Sequence, residues 1–430
     1  MVKRFLFTIF FLLQIPFLVL MVAFVPKRRK ELIWGPDPII NNKYWSEAMR
    51  SVGYSSKTLM SSVYKINKRE DFDLYFDDVT PKWIRPLLFR KGMSLFFAFS
   101  YMIRNACVVH LPFSGGPFGN TLLWRLEAYL FHCVGIKIII LPYGRDAYCY
   151  SQTIDPSFRN ALLINYGESA RREPQIRRRI EFWTRNADAM LTGFIVDGMG
   201  RWDVPVNNMI CIDTSLWKSK SVYSSNNGEN GNVRVLHTPN HRGAKGTEFL
   251  IHAIEKLRAE GLKVELVLLE NVPNDKIREM MQEVDILADQ FIATAYALSA
   301  IEGMVSGLPV MSNLEHEAYT RIFRRYAFLD ECPILSTTPE TLEYNLRTLI
   351  TKPRLREQLG RAGRLYVEKY HSFEMAQYLF GSIYKKILFG QEVDLMNLFH
   401  PLKSEYNCSK PMVQHPLIEN RLPISEGEKC

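Results

Sequence analysis

Two cations three residues apart, Arg242 and Lys245, follow the apolar run VRVLH in the segment HTPNHRGAKG. At the mouth of a strand such a pair can hold a diphosphate, the guanidinium as a bidentate fork and the ammonium as a point charge. Further along, IEGMVSGLPV puts Glu302 on a short helix that stops at Gly307-Leu308-Pro309 before a new strand. A carboxylate at a helix start can accept two hydroxyls, as a ribose offers. Phosphate clamp plus ribose acceptor predicts a bound nucleotide. The plainer readings are a solvated strand-to-helix turn for the cations and a carboxylate that only complements the helix dipole for Glu302.

Other residues carry weaker chemistry. The loop Ser114–Asn120, SGGPFGN, precedes a helix, so the amides at Gly115 and Gly116 can hold an anion or merely close a tight turn. It lacks the GxGxxG spacing of a dinucleotide site and the lysine of a P-loop. In Tyr143-Gly144-Arg145-Asp146, Asp146 can accept from a sugar or acceptor hydroxyl, although an aspartate after glycine also serves turns. Arg145 can meet a phosphate or pair with a nearby carboxylate. His237 reads as a satisfied structural histidine, and Asp285 and Asp289 as caps. Asp71-Phe72-Asp73 has the form of a metal-binding carboxylate pair, but alternation along a strand explains it, and no metal site is expected.

The elements that must position these residues come as strand-helix alternation, twice over. In the first half the strand candidates are ELIW, DFDLYF, CVVHLPF, IKIIILPYG, NADAMLTGF and NMICID, with helices over residues 42–52 and 121–134. The second half runs VRVLHT, a helix over 247–260, VELVLLE, a helix over 276–283, VDILAD, the Glu302 helix, LPVMSN and helices from 338 to 367. Continuous apolar runs are what buried parallel strands look like. Two doubly wound α/β domains follow, which bind ligands beyond the carboxyl ends of their strands. The expected division is residues 31–213 and 214–395, with a tail over 396–430 that lacks periodicity and reads as extended.

With 430 residues, 47% hydrophobic and 23% charged, the chain is an ordinary globular protein large enough for two cores. A net charge of +9 favours anionic partners, and with no recognition helix or zinc spacing nucleic acid is not expected. Seven scattered cysteines without a CxxC pair read as reduced thiols. Residues 1–30 predict a membrane anchor, because Phe5 to Val25 is apolar enough to span a bilayer. Lys27 to Lys30 outweigh Lys3 and Arg4, which predicts a single-pass protein with its catalytic domains cytoplasmic. The stretch Trp83–Arg104, rich in aromatic and basic residues, reads either as a headgroup-level helix or as a buried helix with a basic rim.

The pieces HTPNHRGAKGTEFLIHAIEKL, VDILADQ, AIEGMVSGLPV and SFEMAQYLFGSIYKKIL resemble the family-4 retaining glycosyltransferases of the GT-B fold. The likeness is good from Val233 to about Gly390 and looser over 31–213. It implies that Arg242 and Lys245 contact a donor diphosphate, that Glu302 contacts the ribose, and that Gly115 and Gly116 face the interdomain cleft. Thr294 stands eight positions before Glu302, where the family carries a second glutamate on the transferred sugar. The following glycine loop reads Ala295-Tyr296-Ala297, and Tyr143 replaces the histidine of a His-Gly-x-Asp turn. The expectation is a metal-independent hexosyltransferase with no cofactor. It would move a sugar from a nucleoside-diphosphate-sugar to a glycan or lipid-linked acceptor at a membrane, in bacterial surface polysaccharide or lipid-linked glycan synthesis. A non-catalytic scaffold of the same fold is the alternative, and a sugar-nucleotide epimerase a more distant third.

Overall fold

The computed structural model describes residues 2–25, 29–64, 67–84 and 90–423, with side chains from residue 12 onward. It contains two parallel sheets. The first is built from β1 (Glu31–Trp34), β2 (Ser56–Met60), β3 (Leu74–Tyr75), β4 (Ala106–Leu111), β5 (Lys137–Ile140) and β6 (Ala189–Met190), in the order β3-β2-β1-β4-β5-β6. The second holds β7 (Val233–His237), β8 (Val264–Leu268), β9 (Ile286–Gln290), β10 (Val310–Ser312) and β11 (Leu335–Ser336), ordered β11-β10-β9-β7-β8. In both, the chain starts at the middle and winds outward in each direction. The point where winding reverses lies at the carboxyl ends of β1 and β4, and of β7 and β9, which opens a crevice there.

Most expected strands are present because their residues are buried on both faces, as in β5, where Ile138, Ile139 and Ile140 are all fully buried. Two differ. Ser56–Met60 forms β2 although Lys57 and Thr58 interrupt its apolar character. The run NMICID forms no strand: it is the connection from first domain to second, held when Ile212 N–H donates to the His371 carbonyl at 2.8 Å.

The chain returns to the first domain at its other end. The helix Phe373–Phe389 packs on the helix Asn41–Ser51 and on the first sheet, although it follows the second domain in sequence. The Phe380 ring meets Trp34 edge-on at 4.8 Å, and Trp34 stacks on His110 at 3.5 Å. The Nδ1–H of His110 donates to the Ile33 carbonyl, so Nε2 is left to accept from the Tyr384 hydroxyl at 2.8 Å. Burial pushes this imidazole down to about 3, which keeps it neutral. One domain's sheet is thus bolted to the last helix of the other.

The expected membrane span finds no support among the described residues. Its residues are helical over Val2–Ala23, but Lys27 and Arg28 of its basic flank, and the side chains before Leu12, lie outside the described residues. The described part buries Gln14 and Leu18, and the helix packs on Arg90–Asn105. Among the described residues, no helix is long and apolar enough to cross a membrane. The Arg90–Asn105 helix buries Ala98, Phe99, Met102 and Ile103, so that part of the aromatic-basic stretch is a core helix; Arg85 lies outside the described residues.

The tail is ordered through residue 423 without being periodic. Phe399 and Tyr406 pack on Phe328, Tyr370 and Tyr378. The Asn420 amide donates to the carbonyls of Cys332 and Ile334, and its own carbonyl accepts from Ser336 N–H, which covers the edge of β11. The six described cysteines are free thiols.

Replacing Tyr384 by Phe leaves His110 Nε2 buried without a donor. Denaturant unfolding should show a loss of about 1–3 kcal/mol, with no change in the far-ultraviolet spectrum.

Candidate functional site

The carboxyl ends of both sheets face one cavity of about 680 Å³. Its first-domain wall includes Trp45, Tyr64, Tyr143, Arg145 and Tyr166, and its second-domain wall includes Asn240, His241, Lys245, Gln290 and the loop Ala293–Ala297. Among the described residues no carboxylate lines it, and its two cationic lining side chains are Lys245 and Arg145.

Lys245 is placed by a chain of local constraints. At the end of β7 the His237 Nδ1–H donates to the Ala288 carbonyl at 2.7 Å, while Nε2 accepts from Thr247 Oγ1 at 2.8 Å. That imidazole is buried, pushed down to about 4 and structural. The segment after it forms one helical turn, Arg242–Lys245, closed by Gly246 at φ +74°. Phe291 N–H and Ala293 N–H donate to the carbonyls of Lys245 and Ala244, tying the turn to the loop after β9. The Lys245 ammonium lies 2.5 Å from Asp289 Oδ1, with side-chain exposures of 11% and 2%. Ser299 Oγ donates to the same carboxylate oxygen at 2.5 Å. A buried ion pair adds little net stability, so its physical effect is to hold the ammonium in one place.

Arg242 goes elsewhere. Its guanidinium pairs with Glu248 at 2.7 Å and Glu270 at 3.0 Å, is 39% exposed, and is absent from the cavity wall. Glu302 is buried on the helix Leu298–Val305, accepts from Asn274 Nδ2 at 3.1 Å, and is pushed by burial up to about 7. Ala297, a lining residue, precedes the first turn of that helix and supplies no side-chain cap, so the first helix amides can meet an anion in the cavity.

Thr294 lines the cavity and bridges it: its hydroxyl donates to Asp155 Oδ2 at 2.5 Å. Asp155 also caps the helix Pro156–Arg171 by accepting from Ser157 and Phe158 amides. A second bridge joins the Tyr166 hydroxyl and His241 Nε2 at 2.7 Å, and the helix kinks at Tyr166 (φ −137°). Ala295 next to Thr294 has φ +137°, a region suited to glycine, because Gln290 and Ser312 both hydrogen-bond its carbonyl while its N–H donates to Asn313.

The remaining candidates sit outside the cavity wall. The Asp146 oxygens accept from the amides of Phe113 and Tyr143 at 2.9 and 3.0 Å, a clamp between the ends of β4 and β5. Burial, with Asp37 adding repulsion, pushes this carboxyl up to about 7. The amides of Gly116 and Phe118 are taken by the carboxylate of fully buried Glu127. Gly115 (φ +92°) and Gly116 lie against Glu127, where an added Cβ would come within 3.3 and 3.1 Å of its oxygens. The amides of the glycine-rich loop are therefore engaged internally, by the Glu127 carboxyl. Asp71 pairs with Lys43 and Asp73 with Arg50, so the two carboxylates serve separate ion pairs.

The chain matches no family model and no curated protein. Solved structures do match. Sucrose-phosphate synthase from Thermosynechococcus elongatus aligns over 85% of this chain and 100% of its own, at 12% identity and a TM-score of 0.52. A glycosyltransferase from Rickettsia africae aligns over 85% of this chain and 100% of its own, also at 12% identity, with a TM-score of 0.54. The fold is that of the GT-B glycosyltransferases. At such identity the likeness carries the GT-B architecture and nothing finer.

Sequence reasoning missed Asp155, His241 and Tyr166, because a bond between domains leaves no local spacing to read. For Glu127 the one signal was a glutamate on an otherwise apolar face of the helix Trp124–Cys133.

Two outcomes follow from these environments. Burial pushes Glu127 up to about 8 from an ordinary 4.5, outweighing its two amide donors and Arg179. The folded chain holds that proton to higher pH than the unfolded chain, so the group's contribution falls as pH rises from about 4.5 to about 8. Urea titrations should find that this fall is shallower in Glu127→Gln; an equally steep fall contradicts the assignment. Ala295→Gly relieves the backbone and should gain about 1 kcal/mol net of the unfolded-state entropy it adds, read from the same titration.

Proposed function

We propose that this chain transfers a sugar from a nucleoside-diphosphate-sugar to an acceptor hydroxyl. The observation that carries the reading is the interdomain cavity, whose wall, among the described residues, holds two cations, no carboxylate and the uncapped start of a helix. Such a wall suits a diphosphate, and the surrounding Tyr64, Tyr143, Tyr166 and Trp45 suit the faces of a sugar and its acceptor. The donor occupies the second-domain side, with Lys245 and the amides before Ser299 at its phosphates. Glu302, one turn further along that helix, is buried behind the wall, and the sequence resemblance is what assigns it to the ribose hydroxyls. The acceptor, a glycan or a lipid-linked chain, enters from the first-domain side. The reaction retains anomeric configuration, with the leaving phosphate taking the acceptor proton, as in the family-4 enzymes that the sequence resembles.

A second reading is a non-catalytic scaffold that binds nucleotide. It is favoured by Thr294, which stands where that family has a glutamate and is bonded to Asp155 rather than free for a sugar.

The test pairs binding with turnover across a panel of nucleoside diphosphates and their hexose conjugates. Removing Lys245 alone would strand a buried Asp289, so the informative variant is Lys245→Ala with Asp289→Ala. Turnover should fall about 10²- to 10³-fold. Unchanged turnover in that variant contradicts the enzyme reading, and nucleotide binding without turnover in the native chain favours the scaffold.

A further inference from the structure

Lys245 is one cation for a ligand that carries two phosphates, and Arg242, the expected second, is engaged elsewhere. Its three guanidinium nitrogens meet Glu248 and Glu270, so recruiting it would break charge-assisted bonds to both. Arg145 is in the opposite condition. It lines the cavity, is exposed, and makes no ion pair or side-chain hydrogen bond among the described residues. Of the carboxylates nearby, Asp37 feels the Arg145 charge and accepts from Ser114 Oγ, while Asp146 accepts from two backbone amides.

The two cations flank a common bridge. Arg145 acts electrostatically on the Tyr166 phenol and Lys245 on the His241 imidazole, and these two rings are joined by the 2.7 Å hydrogen bond that spans the cleft. Gly144, at φ +120°, turns the loop after β5 so that Arg145 follows directly on the lining residues Tyr143 and Gly144.

We propose that Arg145 supplies the second cation to the diphosphate held by Lys245, so that the leaving group is neutralised by one charge from each domain. This rests on the nucleotide-sugar reading above and assigns a further catalytic residue to it. In the transfer, the bond between the anomeric carbon and the diphosphate oxygen breaks and its electron pair goes to that oxygen. The acceptor oxygen forms the new bond to the same carbon, and its proton passes to the leaving diphosphate. The charge that grows on the diphosphate lies between a fixed ammonium and a planar guanidinium able to bind two of its oxygens at once. Because Arg145 belongs to the first domain, full charge neutralisation requires both domains to be closed on the donor.

The experiment measures binding of UDP, GDP, ADP and the matching nucleosides by calorimetry, together with kcat and KM, for native chain, Arg145→Ala, Arg145→Lys and Arg242→Ala. Arg145 is exposed, so its variants should keep the native melting temperature. The expected result is a loss of about 10- to 100-fold in diphosphate affinity for Arg145→Ala, with nucleoside affinity unchanged. Arg145→Lys should recover part of that loss, and Arg242→Ala should stay within about threefold of native, as surface charges outside a site do. Unchanged diphosphate affinity in Arg145→Ala overturns the proposal, as does an equal loss in Arg242→Ala. If only the acceptor KM rises, the anion at Arg145 belongs to the acceptor and the proposal is likewise overturned. If the native chain binds none of the three diphosphates, the nucleotide-sugar reading itself has failed.

Discussion

The cavity exists because the chain passes between its two sheets twice. The first crossing runs through Asn207 to Asp213; the second runs through His371 into the helix Phe373–Phe389, which settles on the first sheet through Phe380, Tyr384 and His110. At the hinge the passages meet. His371 Nδ1–H donates to the Ile210 carbonyl, so its Nε2 must accept from the Tyr296 hydroxyl, which in turn accepts from Asn207 Nδ2. Tyr296 belongs to the loop that forms the cavity's second-domain wall. The same buried polar network that fixes the two crossings therefore fixes the loop carrying Thr294 and Ala295. A shift between domains cannot leave that loop where it is.

On this frame the charged groups divide into those that build the site and those that face it. Asp146, Glu127 and Asp289 are carboxylates whose oxygens are met by backbone amides, by Ser299 or by Lys245, and they hold loops or cations in place. None of them lines the cavity. Among the described residues, the charged or partly charged groups that face the cavity are Lys245, Arg145 and helix amides, all positive, although acidic side chains lie close behind its walls. Neutralising Lys245 with a buried partner and leaving Arg145 open produces two different cations. One is positioned before any ligand arrives, while the other is free to follow it.

How much of this could be read from the sequence depends on how local the cause was. Parallel strands buried on both faces announce themselves as apolar runs, so β1, β4, β5, β7 and β9 were legible. The run NMICID has the same composition and is buried for another reason, as a crossing segment. Its hydrogen bonds go to His371, which no window of the sequence could show. Arg242 and Lys245 were correctly seen as cations after a strand, but side-chain direction was decided by Glu248 and Glu270, the latter at the end of the neighbouring strand's segment. The tail was opaque because aromatic stacking and asparagine-to-carbonyl bonds hold irregular chain without periodicity. Glu127 shows the limit from the other side: an acceptor for the amides of the glycine-rich loop was foreseeable, its identity was not.

Thr294 and Ala295 shape the second-domain wall of the cavity. A glutamate at position 294 would bring a charge next to Asp155, and two carboxylates at such a distance cannot both ionise without cost. Threonine instead donates to Asp155 and joins the domains directly. Ala295 then keeps a backbone conformation that alanine disfavours, because its carbonyl answers Gln290 and Ser312 and its amide answers Asn313. Four side chains and one strained residue thus hold in place a wall that in the resembling family presents a carboxylate and glycines. Opposite this wall the cavity is lined by polar groups of the first domain, Asn165, Tyr166 and Tyr143 among them.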